Sequence, residues 1–216
     1  MENITVPKYT LGEEITNAIT HGIGALFGIV ALVLTIIMAA INHNPIGIIS
    51  AIIYGLSMIT MFTISCVYHA LSPRIKCKKV MRVLDHCDIY VFIAGCYTPF
   101  CLSLIGGTIG IVLCFVIWTC AIAGVLLNAI NLEKFKILSF IMYLVMGWMI
   151  VVSFKTLYAK IDIVGLSLLI SGGIAYTLGA VFYLLGVKKK YIHSVFHVFV
   201  LLGALLQFFS ILFYSL

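Results

Sequence analysis

Residues 111–127 read Ile-Val-Leu-Cys-Phe-Val-Ile-Trp-Thr-Cys-Ala-Ile-Ala-Gly-Val-Leu-Leu, with no charged side chain among them. A membrane-spanning strand alternates polar and apolar residues over about ten positions, and this run does not alternate. A helix satisfies its own backbone hydrogen bonds, so an unbroken apolar run can sit in hydrocarbon. Extended to 108–130, the run reaches the length of about 20 residues that a spanning helix needs. Six more stretches share its character: 20–41, 46–69, 88–105, 136–154, 163–187 and 191–216. The expected fold class is therefore all-α, a seven-transmembrane helix bundle, with 1–216 as a single integral membrane domain. A composition of 63% hydrophobic and 9% charged residues leaves no material for a soluble domain.

The charges assign an orientation. Eleven of the thirteen Lys and Arg residues fall on one side of that bundle. They are Lys8, then Arg74, Lys76, Lys78, Lys79 and Arg82 in the 70–87 loop, Lys134 and Lys136 in the 131–136 loop, and Lys188, Lys189 and Lys190. Only Lys155 and Lys160 face the other side. The positive-inside rule then puts the N-terminus in the cytoplasm and the C-terminus outside, which an odd span count requires. The net charge of +6 follows this topology, so no nucleic-acid partner is expected. Membrane lipids are the expected partners, and a multi-pass place in the plasma membrane the expected location. No cleaved signal peptide is expected, because Glu13 and Glu14, not a basic segment, precede the first apolar run. The seven cysteines form no Cys-x-x-Cys pair and lie mostly inside spans, where they read as small reduced packing residues. Asn42-His43-Asn44-Pro45 and Gly106-Gly107 read as short outer turns. Gly172-Gly173 and Gly179 would let helices approach closely, and Trp148 reads as an interfacial anchor or packing residue.

Three of the six histidines fall at the cytoplasmic ends of two spans. His69 closes 46–69; His193 and His197 open 191–216 at a spacing of i, i+4. That spacing lets two imidazoles on one helix hold a single metal ion. Asp85, at the mouth of the third span, adds a carboxylate at the same depth. Ionisable groups inside a membrane mark functional sites by default. Three imidazoles and an open position make a zinc site of the kind that lowers the pKa of its water to about 7. Asp85 would serve as general base, and Ser65, one turn before His69, would bind the water or orient a substrate carbonyl. This chemistry suits hydrolysis of a lipid amide or ester whose head group reaches that depth. His86 and Asp88 flank Asp85 and read as loop or supporting residues. Glu13, Asn17 and His21 share a helix face at the same end, either as a solvated entry turn or as support for the site.

Ser65-Cys66-Val67-Tyr68-His69, Leu84-Asp85-His86-Cys87-Asp88-Ile89-Tyr90 leading to Ala94–Pro99, and His193-Ser194-Val195-Phe196-His197-Val198-Phe199 resemble the hemolysin III family. That family belongs with the progestin and adipoQ receptors and, more distantly, the alkaline ceramidases. Glu13–Gly24 and Met146-Gly147-Trp148 resemble its bacterial branch. The resemblance implies seven helices, a zinc ion near the cytoplasmic face on three histidines, Asp85 on the zinc-bound water, Ser65 in support, and lipid amidase activity. A short tail before residue 12 departs from the longer cytoplasmic segment of the eukaryotic receptors and counts against a protein-hormone receptor role. Two other readings stand beside the hydrolase: a membrane sensor braced by structural zinc, and the oligomeric pore that the family name suggests. The pore fits poorly, since polar residues gather at the cytoplasmic end and no polar face runs through the bilayer.

Overall fold

Thr10 opens the first helix. Its hydroxyl accepts the amide of Glu13, and the Glu13 carboxylate accepts the amide of Thr10 at 2.8 Å. This reciprocal cap satisfies two free donors and starts α1 at Leu11–Ile41, well before the expected residue 20. The computed structural model describes residues 4–186 and 189–216, so Val187 and Lys188 lie outside the described residues. After α1 come α2 (Pro45–Ala70), α3 (Cys77–Pro99), α4 (Gly107–Trp148), α5 (Phe154–Lys160), α6 (Ile163–Leu185) and α7 (Ile192–Tyr214). No strand occurs among the described residues. Both expected turns are present, with left-handed backbone at His43, Gly106 and Gly107.

Six of the helical stretches are long and apolar enough to cross a membrane. One of them, Gly107–Lys160, has 54 residues. As a straight rod it would measure about 80 Å against a hydrocarbon core of about 30 Å. It is not straight, because Asn131 leaves helical geometry (φ −161°, ψ 90°). The Ser139 hydroxyl donates to Asn128 Oδ1 at 2.6 Å, although eleven residues of straight helix would hold them about 17 Å apart. The Asn128 amide also donates to the Tyr143 hydroxyl at 3.1 Å. The arms 107–130 and 132–148 thus fold back on one another as a hairpin. A single residue makes the bend where a loop over 131–136 was expected.

The third helix also starts earlier than expected, at Cys77 instead of 88. The charges between 77 and 87 suggested a loop. They tolerate a helix because their partners sit on other elements: Lys78 pairs with Glu14 of α1, and Arg82 with Glu133 of α4. Pro99 ends the regular part of α3, and a wider turn, Phe100–Ile105, completes it.

The core is built from Tyr54, Met58, Phe62, Tyr90 and Ile117, all fully buried. Helix α1 packs against both α2 and α7, and α6 packs along α7. Small residues set the last contact: a side chain at Gly172 would meet Gln207 of α7, and one at Gly179 would meet Phe199. Trp148 donates its indole N–H to Thr177 at 3.0 Å and lies over Gly173. The seven cysteines are free.

Candidate metal centre

His69 ends α2, and His193 and His197 begin α7, so the fold brings three imidazoles from two helices to one end of the bundle. Their ligand atoms lie within 4.8 Å of one another, and the group is buried, with His193 the most open of the three. The Nε2 atoms of His193 and His197 approach to 3.1 Å. His69 Nε2 is buried without a hydrogen-bond partner. A buried donor–acceptor atom without a partner is costly, and a cation accepting its lone pair removes that cost. This group could hold a metal ion.

The remaining contacts of His69 come from α1. Glu14 Oε2 lies 2.7 Å from His69 Nδ1, and Asn17 Nδ2 lies 3.4 Å from the same nitrogen. Lys78 holds the other Glu14 oxygen at 2.5 Å and donates to the Leu71 carbonyl at 2.8 Å. The Ser194 hydroxyl donates to Asn17 Oδ1 at 2.6 Å. His21 stacks on His197 with ring centroids 3.7 Å apart, and neither of its ring nitrogens has a partner. Asn17 and His21 therefore do contact the histidine group. Glu13 does not: its carboxylate caps α1 and accepts the Tyr191 amide at 2.8 Å. Glu14 takes the place expected for Glu13, and the face that matters is Glu14, Asn17 and His21, spaced i, i+3, i+7.

Asp85 and Ser65 line a cavity that also reaches His193, His197 and His21. Asp85 lies within α3, with its carboxylate 3.8 Å from His86 Nδ1. Ser65 is buried one turn from His69 on α2. His86 is engaged elsewhere. Its Nδ1 donates to the Arg82 carbonyl at 2.9 Å, which leaves Nε2 to face the Tyr183 hydroxyl at 3.4 Å. Its own carbonyl accepts from Tyr143 at 2.6 Å. It sits inside α3 rather than in a loop. Asp88 is buried, does not line the cavity, and has Oδ2 without a partner.

The cavity changes character with depth. Tyr9, Arg82, Asp85 and Tyr183 line its polar end; Phe92, Ile93, Cys96 and Val200 line an apolar stretch. On α3 alone the lining runs from Arg82 to Tyr97, about 22 Å of helix. At this polar end lies the segment before α1, which sequence reasoning passed over; its Pro7 and Tyr9 line the cavity. The Thr5 carbonyl accepts from Arg82, while Thr5 Oγ1 donates to Glu133 at 2.7 Å. Tyr9 stacks on His193 at a centroid distance of 4.9 Å. Burial pushes the Tyr9 phenol above its ordinary pKa, and the nearby Tyr183, Glu14 and Asp85 push it further.

Known proteins resemble this chain over most of its length. The chain is 42% identical over 206 residues to the "Hemolysin-3 homolog" of Bacillus subtilis (strain 168), covering 95% of this chain and 96% of the relative. It is 40% identical over 215 residues to "Hemolysin-3" of Bacillus cereus, covering 100% and 97%. It is also similar to the human "Monocyte to macrophage differentiation factor", at 28% over 214 residues, 94% of this chain and 85% of the relative. Residues 9–208 match the family described as "Haemolysin-III related". The chain thus belongs to the haemolysin-III related family and is a multi-pass integral membrane protein in contact with lipid.

Proposed function

We propose that this protein is a zinc-dependent hydrolase of lipid amides or esters, acting in membrane-lipid homeostasis. The observation that carries the reading is a buried three-histidine group of which His193 and His197 line a cavity that is polar at one end, its mouth in this proposal, and apolar in its interior. Three imidazole nitrogens within 4.8 Å of one another are a donor set that zinc takes. Nitrogens bound at 2.0–2.1 Å around a tetrahedral ion stand about 3.3 Å apart, close to the 3.1 Å between His193 and His197. His69 Nδ1 faces a carboxylate, the usual partner behind a metal-bound imidazole.

His69, His193 and His197 would hold the ion. Bound there, zinc supplies a Lewis acid and a water whose pKa falls to about 7. Asp85 takes the water's proton on its carboxylate as general base and returns it to the leaving nitrogen or oxygen. Ser65 Oγ donates to the substrate carbonyl and orients it. The apolar interior receives the acyl chain and keeps bulk water out; the mouth faces the head group. Water adds to the carbonyl carbon, the carbon–nitrogen or carbon–oxygen bond breaks, and a fatty acid leaves with an amine or alcohol.

The topology belongs to the same proposal: one domain over 1–216 with seven spans in the plasma membrane, N-terminus cytoplasmic and C-terminus outside. The hairpin at Asn131 supports seven, because it divides the 54-residue stretch into two antiparallel arms. Ten basic residues among those described lie on the side of the histidines, by that topology, against Lys155 and Lys160 on the other.

The deciding experiment measures fatty-acid release by zinc-loaded and chelator-treated protein from N-acyl and O-acyl lipids. Release that needs the metal supports the proposal. No release from either class by loaded protein would sink it and leave zinc as a brace. That second reading has its own support, since the histidines join α2 to α7 across α1. Its signature is a lower melting temperature for His193→Ala with no turnover to lose.

A further inference from the structure

Helix α1 contributes none of the three histidines, yet one of its faces touches all the parts that hold them. Glu14 and Asn17 meet His69, Asn17 meets Ser194 beside His193, and His21 stacks on His197. The contact between Glu14 and His69 is short and buried, and a buried lysine completes it. Glu14 is 8% exposed, His69 2% and Lys78 0%. The carboxylate is divided: Oε2 faces His69 Nδ1 at 2.7 Å and Oε1 faces Lys78 Nζ at 2.5 Å.

We infer that Glu14 and Lys78 form a positioning pair that fixes the tautomer and direction of His69, an inference that rests on the metal-site reading above. A carboxylate 2.7 Å from Nδ1 requires a hydrogen on that nitrogen, since two lone pairs would repel. Asn17 offers an amide donor to the same atom, but at 3.4 Å it competes poorly. Nδ1 therefore carries the hydrogen, and Nε2, the nitrogen without a partner, presents its lone pair to the cation. Lys78 matters because Glu14 alone is free to rotate. Held at Oε1 by an ammonium that is itself anchored on the Leu71 carbonyl, the carboxylate has one orientation left. Lys78 lies in the basic stretch that topology explains, but a fully buried ammonium is not a surface charge facing the cytoplasm.

A purely structural ion pair between α1 and α3 would look similar, so the test reads the metal. Removing one partner leaves a buried charge uncompensated. The double variant Glu14→Gln with Lys78→Met removes both. Purified wild type and variant are titrated with cobalt(II), whose visible absorption reports its ligation by nitrogen. The expected result is binding about 10- to 100-fold weaker in the variant, at unchanged helix content. Should the double variant not fold, Glu14→Gln alone keeps the shape and an oxygen for Lys78, and the same weakening is expected. Asn128→Leu, which loosens the bundle at a residue whose hydrogen bonds go to none of the three histidines, serves as the control and keeps wild-type cobalt affinity. Wild-type affinity in the folded double or single variant overturns the pair's role, as does equal weakening in the control. A wild type that binds no cobalt overturns the metal-site reading instead.

Discussion

Asn128→Leu tests how the second half of the bundle is joined to the site. Asn128 is fully buried. Its Oδ1 accepts from Ser139, and its amide donates to the Tyr143 hydroxyl at 3.1 Å and to the His86 carbonyl at 3.3 Å. These bonds tie both arms of α4 to α3 one residue beyond Asp85. Leucine fills a similar space and makes none of them, and it strands the Ser139 hydroxyl in an apolar seam. A net hydrogen bond contributes about 0.5–1.5 kcal/mol in water-soluble proteins. Between membrane helices the average is about 0.6 kcal/mol. Three lost bonds and one stranded hydroxyl therefore cost roughly 2–4 kcal/mol. For a chain of this size each kcal/mol moves the melting temperature by about 2–4 °C, so a fall of roughly 5–15 °C is expected. The assay is thermal unfolding of purified protein in detergent, followed by circular dichroism, with metal content measured alongside. An unchanged melting temperature would refute the hairpin clamp. Loss of metal would refute its separation from the histidines.

Other perturbations address the site and its surroundings. Asp85→Asn keeps the metal and lowers fatty-acid release by about 10²- to 10⁴-fold, the usual worth of a general base; a variant that retains turnover removes Asp85 from that role. Gly203→Ala puts a methyl 2.8 Å from the Tyr176 ring across the α6–α7 contact. Overpacking of this kind costs about 1–3 kcal/mol, read as a lower melting temperature, and a neutral outcome would mean that the two helices separate freely there. Glu133→Gln weakens the hold on Arg82 and Thr5, so hydrogen exchange at residues 5–9 should rise while that of the helices stays constant. Unchanged exchange would show that Tyr9 alone holds the segment over the mouth.

Much of this was legible in the chain itself, for reasons that also explain the rest. The run 111–127 could only be a membrane helix, because no partner inside hydrocarbon can replace its backbone hydrogen bonds. His193 and His197 declared themselves by a four-residue spacing that any helix converts into one face. Glu14 was hidden by its neighbour. Either glutamate shares a helical face with Asn17 and His21, and the choice depends on which one the cap at Thr10 consumes. That cap was readable, since Thr10-x-x-Glu13 is its usual pattern. The early start of α3 was not readable. Lys78 and Arg82 look like loop residues until Glu14 and Glu133 are seen to meet them from other helices. The clamp across the expected hairpin escaped notice for the same reason: Asn128, Ser139 and Tyr143 are unremarkable apart, and only the fold makes them neighbours.

The whole account rests on a cation shared by α2 and α7. The most direct measurement is elemental analysis of protein purified without chelator, wild type beside His69→Ala. Wild type should carry close to one zinc ion per chain, and the variant should carry little or none. A wild type that is free of metal and takes up no added zinc would contradict it.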